Sequence, residues 1–119
     1  MSQPIRHARR SAVIAGAFVA LALTTYVAVV RAAPATEATV KIDNFTFTPA
    51  QIKVSPGTKV TWINDDDIPH EIVDSTDPQA MKSAPMDTDD RFSFVYTKAG
   101  AFPYFCGLHP HMQGTVIVQ

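Results

Sequence analysis

Short runs in which apolar and polar residues alternate dominate the chain after Ala38, and they constrain its fold more than any other feature. Alternation with a period of two places every second side chain on one face, which is the pattern of a half-buried β-strand. Turn residues such as Pro56-Gly57 separate the runs. The alternating apolar positions are Val40 and Ile42, Phe45 and Phe47, Ile52 and Val54, Val60 and Trp62, Phe92 to Tyr96, Phe102 and Tyr104, and Val116 and Val118. About seven short strands predict an all-β fold, either a Greek-key β-sandwich or a barrel.

Packing of large side chains has to hold this domain together, because the chain contains one cysteine and so has no internal disulfide. Aromatic residues bury the most apolar area and are the natural candidates for the core. We expect these rings to pack against one another rather than against a cofactor. The predicted core consists of Phe45, Phe47, Trp62, Phe92, Phe94, Phe102 and Tyr104.

The first 32 residues have the order of an export signal. A basic head, Arg6 to Arg10, precedes the apolar run Ala12 to Val30, and small residues follow from Ala32. This order is typical of a secretory signal peptide, here cleaved after Ala32. The apolar run is also nearly long enough to span a bilayer, so residues 12–30 are alternatively a retained inner-membrane anchor. In both cases residues 1–32 are the targeting segment, and residues 33–119 form a domain in the periplasm.

Charge is divided unevenly between these two parts of the chain. All eleven Asp and Glu residues lie from Glu37 onward, together with six of the ten Lys and Arg residues. The domain is therefore acidic, which disfavours nucleic acid and favours a basic or apolar partner surface. The Asp65–Asp67 run is expected to be solvated loop charge. The sequence contains no paired carboxylates, nucleophile triad or phosphate-binding loop, so we do not expect an enzyme.

The segment from Cys106 to Met112 brings a thiol, two imidazoles and a thioether into seven residues between two predicted strands. Soft sulfur donors together with imidazole select copper, and two His and one Cys with a weak axial Met are typical of electron-transfer copper sites. His109 supplies one imidazole from within the segment. His70 is the natural second, because Pro69 stiffens its approach and its loop can reach the same end of a sandwich. Zinc fits less well, since structural zinc sites favour Cys and His over a thioether.

Around these residues the sequence resembles the cupredoxins, the type 1 blue copper family, and within them the amicyanin and plastocyanin type. The resemblance extends over nearly all of residues 38–119, and it is carried by Val60-Thr-Trp-Ile-Asn64, Ile68-Pro-His-Glu-Ile72 and the stretch from Gly100 to Val118. The spacing Cys-x₂-His-x₂-Met is similar to the short ligand loop of amicyanins. The resemblance implies a cupredoxin fold that binds one mononuclear type 1 copper ion. The implied in-plane ligands are His70, Cys106 and His109, and the implied axial ligand is Met112.

Two residues depart from the family pattern. Glu71 follows the first histidine where the family usually has an Asn that ties the two ligand loops together. Glu71 either takes over part of this role as an acceptor or faces solvent. His111 occupies a position where amicyanins carry an apolar ring, and we expect a surface imidazole there.

The sequence thus predicts a small exported electron carrier that cycles between Cu(I) and Cu(II) and has no substrate turnover of its own. We expect a monomer to which redox partner proteins dock transiently near His109, where an apolar rim surrounds the imidazole. The alternative is a periplasmic copper-binding or trafficking protein, which His111, Met81 and Met86 motivate. Met81 and Met86 are themselves expected to be packing residues of the long loop that contains them.

Overall fold

The computed structural model describes residues 27–29 and 36–119. The predicted targeting segment, residues 1–32, and its cleavage after Ala32 therefore lie outside the described residues, apart from residues 27–29. Within the described part of the chain, no helix has the length and apolar character needed to cross a membrane.

In the described part of the chain, eight strands form two four-stranded sheets, which confirms the all-β prediction. The first sheet has the order β2-β1-β4-β6, and the second has the order β3-β8-β7-β5. Each sheet contains one parallel pair, β1 with β4 and β3 with β8. The strands are β1 (Glu37–Asp43), β2 (Thr46–Thr48), β3 (Gln51–Val54), β4 (Thr58–Asn64), β5 (Ile72–Asp74), β6 (Arg91–Tyr96), β7 (Gly100–Cys106) and β8 (Gln113–Val118).

The alternation in the sequence matches the burial in the strands. In β4, buried and half-buried residues alternate along all seven positions, and Trp62, the fifth of them, is fully buried. The rings of Phe47 and Tyr104 continue this core, since Tyr104 lies edge-on to both Phe47 and Trp62. A short apolar strand therefore buries a stripe of side chains between the two sheets without help from a disulfide.

The aromatic core prediction is correct for some rings and wrong for one. Phe47, Trp62 and Tyr104 are buried. The other predicted core rings of β6 and β7 are half-buried and pack against the core; they are Phe92, Phe94 and Phe102. Phe45 is 44% exposed, so its assignment to the core is wrong. The reason is local, because Phe45 lies in the tight turn between β1 and β2 rather than in a strand.

The long loop between β5 and β6 contributes to the core as well. Met81 and Met86 are 4% and 3% exposed, which confirms that they are packing residues. The Tyr96 hydroxyl lies 3.4 Å from the sulfur of Met81. A loop that lacks regular structure is thus held against the sandwich by its methionines.

Strand pairing in the second sheet determines where the two predicted ligand loops meet. Ile72 at the start of β5 lies opposite Cys106 at the end of β7. His70 lies two residues before Ile72, and the Cys106–Met112 segment leaves the sheet at the same edge. The register therefore brings the two loops together at one end of the sandwich.

Candidate metal centre

Three of the four predicted ligands have converging donor atoms. One donor atom from each of His70, Cys106 and His109 can be chosen so that all three lie within 4.8 Å of one another. The Cys106 sulfur is 3.6 Å from the Nδ1 atom of each histidine. His70 and Cys106 are fully buried, whereas His109 is partly exposed.

These distances fit a bound metal ion. Thiolate and imidazole bonds of ~2.3 Å and ~2.0 Å, at angles between tetrahedral and trigonal, separate sulfur and nitrogen by about 3.5–3.8 Å. The observed separations of 3.6 Å fall within that range. One thiol and two imidazoles are soft and borderline donors of the kind that copper prefers, so the donor set fits the predicted copper ion.

The segment after β7 is folded by its own backbone into a closed loop. The amide of His109 donates to the carbonyl of Cys106 at 3.2 Å, and the amide of Met112 donates to the carbonyl of His109 at 2.9 Å. The amide of Cys106 donates in turn to the carbonyl of Met112 at 3.1 Å. Met112 is 3% exposed, so its side chain is buried at the end of this closed loop. The short ligand spacing in the sequence is what allows this compact loop.

The second ligand loop is the connection between β4 and β5, which contains His70. Hydrogen bonds from its backbone and from the Asn64 side chain hold it to the long loop between β5 and β6. His70 and Met86 exchange two backbone hydrogen bonds, at 3.1 and 2.8 Å. The fully buried Asn64 side chain donates to the carbonyls of Ile68 and Met86, both at 2.9 Å. These hydrogen bonds fix the backbone of His70 and of the residues before it.

Glu71 joins the two ligand loops. The alternative prediction, that Glu71 faces solvent, is wrong. The residue is 8% exposed. Its amide donates to the Cys106 sulfur at 3.4 Å, and its carbonyl accepts from the amide of Gly107 at 3.3 Å. Its carboxylate lies over Gly107 and 3.4 Å from the ammonium group of Lys82. The backbone of Glu71 therefore ties the two ligand loops together, and its carboxylate packs over Gly107.

Asp66 is a residue of this site that sequence reasoning missed. It was expected to be a solvated loop charge, but it is only 9% exposed. One carboxylate oxygen lies 2.7 Å from Nε2 of His70, and the two oxygens accept from the amides of Asn44 and Phe45 at 2.6 and 3.0 Å. Burial by itself raises the pKa of Asp66, but the hydrogen bonds from Phe45, His70 and Asn44 outweigh it and hold the pKa below its ordinary value.

Phe45 is the second missed residue, and its ring covers the histidines. It lies edge-on to His70 with ring centres 5.7 Å apart and edge-on to His109 with ring centres 5.1 Å apart. The expectation that Phe45 packs away from any cofactor site is therefore wrong. The alternating sequence pattern predicts the same buried position for Phe45 and Phe47. The left-handed turn at Asn44 and Phe45 instead places Phe45 outside the strands, while Phe47 stays in the core.

His111 is exposed, as predicted, and lies outside the group of converging donors. Its ring centre is 6.4 Å from that of His109. It lines a shallow hollow of about 190 Å³ together with Phe45, Phe47 and Met112. His111 is therefore a surface residue beside the candidate metal centre.

Known proteins are similar to this chain both in sequence and in structure. Residues 12–118 match the sequence profile of the cupredoxin-like domain. The chain is 31% identical to amicyanin-alpha of Methylorubrum extorquens over 93 residues, which cover 76% of this chain and 78% of that protein. The structure is similar to that of a purple cupredoxin from Nitrosopumilus maritimus, with a TM-score of 0.65 and 33% identity over 69% of this chain and 99% of that one. It is also similar to a Cu(I) structure of an amicyanin variant, with a TM-score of 0.64 and 29% identity over 70% of this chain and 82% of that one.

Proposed function

This chain belongs to the cupredoxin-like family, and from that premise we propose that it is a type 1 copper protein that carries single electrons between redox partners. The observation that supports this proposal most strongly is the convergence of the His70, Cys106 and His109 donor atoms within 4.8 Å. When bound, copper supplies the one-electron couple between Cu(II) and Cu(I).

In the proposed site, Cys106, His70, His109 and Met112 would hold the copper ion. Cys106 binds as a thiolate, and the amide of Glu71 is aimed at its sulfur. A hydrogen bond of this kind withdraws charge from the sulfur and tunes the reduction potential. The buried position of Met112 in the closed ligand loop supports its inclusion among the ligands.

Rigidity is what suits this arrangement to electron transfer. The two ligand loops are held by backbone hydrogen bonds from His70 to Met86 and from Cys106 to Met112. A scaffold that keeps the donors in place leaves little rearrangement to oppose the gain or loss of an electron. No substrate has to bind, so the proposed function is that of a carrier rather than an enzyme.

Electrons are proposed to enter and leave through His109, the ligand that is partly exposed. Leu108 and Phe45 flank it and are 47% and 44% exposed, so an apolar rim surrounds the imidazole. An apolar surface of this kind suits brief encounters with a partner protein. The domain is acidic overall, which favours a partner with a basic surface around its own redox centre. We propose that the carrier itself is monomeric.

Export to the periplasm is part of the proposal. It is supported by the basic head and the apolar run of residues 12–30. Mass spectrometry of the native protein tests cleavage after Ala32, because a retained anchor leaves the amino-terminal segment in the measured mass.

The copper-trafficking alternative loses part of its support. Surface methionines would be the expected Cu(I) donors of such a protein, but Met81 and Met86 are both buried in the core. His111 is the remaining exposed residue of the three that motivated this alternative.

The proposal is tested by loading the full-length protein with one equivalent of Cu(II) and recording its visible spectrum before and after reduction. We expect an intense thiolate-to-copper absorption that disappears on reduction and returns on oxidation. Cys106→Ser removes the thiolate and should abolish the absorption. His111→Ala is the matched control in the same loop and should retain it. A colourless protein that binds only Cu(I) would contradict the carrier function and favour trafficking.

A further inference from the structure

We propose that Asp66 is a positioning residue for the metal centre, because one carboxylate holds both the His70 imidazole and the Asn44–Phe45 turn that covers it. The inference deepens the proposed function and rests on it for its redox part. The hydrogen bonds themselves belong to the metal-free protein, so that part can be tested separately.

The hydrogen bond to His70 selects which ring nitrogen is available for a metal. The carboxylate oxygen lies 2.7 Å from Nε2, and both side chains are buried. Because the buried carboxylate accepts a hydrogen bond from the N–H group at Nε2, the lone pair resides on Nδ1, the atom that lies 3.6 Å from the Cys106 sulfur. Asp66 therefore fixes the tautomer and the orientation of the imidazole in the form that binds a metal.

The hydrogen bonds to the turn hold a conformation that its residues would otherwise avoid. Asn44 and Phe45 have φ angles of 47° and 57°, in the left-handed region that a bulky residue such as Phe seldom occupies. Asp66 accepts the amide hydrogens of both residues. Strained backbone of this kind persists only where surrounding interactions impose it. The consequence is the position of the Phe45 ring, edge-on to His70 and His109.

Asp66 is itself fixed by the neighbouring loops. Its amide donates to the side-chain oxygen of the fully buried Asn64 at 3.0 Å. Its carbonyl accepts from the hydroxyl of Thr88, in the long loop, at 2.8 Å. Asp66 thus links three loops, because its carboxylate contacts His70 and the Asn44–Phe45 turn while its backbone carbonyl contacts the long loop.

The geometry makes Asp66→Asn a sharp test. The two backbone amides use different carboxylate oxygens, and His70 uses one of these as well. An Asn side chain has one oxygen and one NH₂ group, so it cannot accept from both sides at once. At least one partner therefore loses its acceptor, and the negative charge beside His70 is removed. Asp66→Glu keeps the charge and both acceptor oxygens and is the rescue variant.

The matched control is Asp67→Asn. Asp67 lies in the same loop and carries the same charge, but its side chain is exposed. It therefore reports the effect of removing one nearby charge while the hydrogen bonds to His70, Asn44 and Phe45 stay in place.

The first measurement uses the copper-free full-length protein. Nitrogen NMR of the imidazoles reports the His70 tautomer, and hydrogen exchange reports the amides of Asn44 and Phe45. In Asp66→Asn we expect at least tenfold faster exchange at one of these amides and a second tautomer at His70, with partial recovery in Asp66→Glu. Wild-type tautomer and exchange in Asp66→Asn would overturn the proposal.

The second measurement is the reduction potential of the copper-loaded proteins. Loss of the carboxylate should lower the affinity for Cu(II) relative to Cu(I) about tenfold, and for a one-electron couple this raises the potential by about 59 mV. Asp67→Asn should shift the potential much less. An equal shift in both variants would show a simple charge effect and overturn the positioning role. If wild-type protein shows no thiolate-to-copper absorption, the proposed function fails while the tautomer and exchange results still stand.

Discussion

At the scale of single residues, the close approach of Glu71 to Gly107 shows how little space the ligand loops leave. A Cβ atom placed on Gly107 would lie 2.5 Å from a carboxylate oxygen of Glu71 and 3.1 Å from a methyl group of Val73. Gly107 directly follows Cys106, so any displacement there reaches the candidate ligand. A larger residue at this position would therefore require the Glu71 carboxylate and the Val73 methyl group to shift.

This packing yields a prediction about stability. Gly107→Ala should lower the free energy of unfolding of the copper-free protein by about 1–3 kcal/mol, because the added methyl group would overpack the contact with Glu71 and Val73. In a Glu71→Ala background the same change should cost clearly less, because the carboxylate that it meets is gone. Denaturant unfolding of the four proteins of this double-mutant cycle measures the difference. Strictly additive effects would show that the two residues do not compete for this space.

At the scale of elements, the Cys106–Met112 segment, which connects β7 to β8, contains three of the four candidate ligands and Leu108 of the exposed rim. Leu108→Asp should slow electron self-exchange between copper-loaded molecules by about tenfold or more, because a charge in the docking interface must be desolvated. The reduction potential should change little. Val95→Asp is the control, since Val95 has a similar exposed fraction of 49%. Val95 pairs with Lys59 near the start of β4, whereas the loop that contains His70 follows the end of β4. Equal slowing in both variants would contradict docking at the rim.

The strands and the Cys106–Met112 loop could be predicted from the sequence, whereas the roles of Asp66 and Phe45 could not. The Cys106–Met112 segment is continuous, so its donor types and spacing were readable without a structure. The strands were readable as well, because alternation follows directly from the geometry of a sheet. The roles of Asp66 and Phe45 depend on hydrogen bonds between the β1–β2 and β4–β5 connections, which are more than twenty residues apart in the chain. Local pattern contains no signal for such pairings, and Asp66 stands between two exposed aspartates in a run that resembles a solvated loop.

At the scale of the whole molecule, the core contains two buried tyrosines that make stability depend on pH. Burial raises the pKa of Tyr96 above its ordinary value and that of Tyr104 to about 12. An unfolded tyrosine ionises at pH ~10, so the unfolded chain loses these protons first. The contribution of the two buried tyrosines to the free energy of unfolding is therefore complete below pH ~10 and is lost as the pH rises to about 12.

Denaturant unfolding of the copper-free protein over this alkaline range should show a steady fall in the free energy of unfolding. Tyr96→Phe removes one of the two ionising groups and should make the decline less steep. A free energy of unfolding that stays constant across the range would contradict the burial of these hydroxyl groups in the folded core.

The claim on which the account depends is that His70, Cys106, His109 and Met112 bind one copper ion at the end of the sandwich. X-ray absorption of the full-length protein loaded with one equivalent of copper tests it most directly. We expect one short copper–sulfur bond and two copper–nitrogen bonds, and the short copper–sulfur bond should be absent in Cys106→Ser. A spectrum with only nitrogen and oxygen neighbours, unchanged by Cys106→Ser, would contradict the assignment.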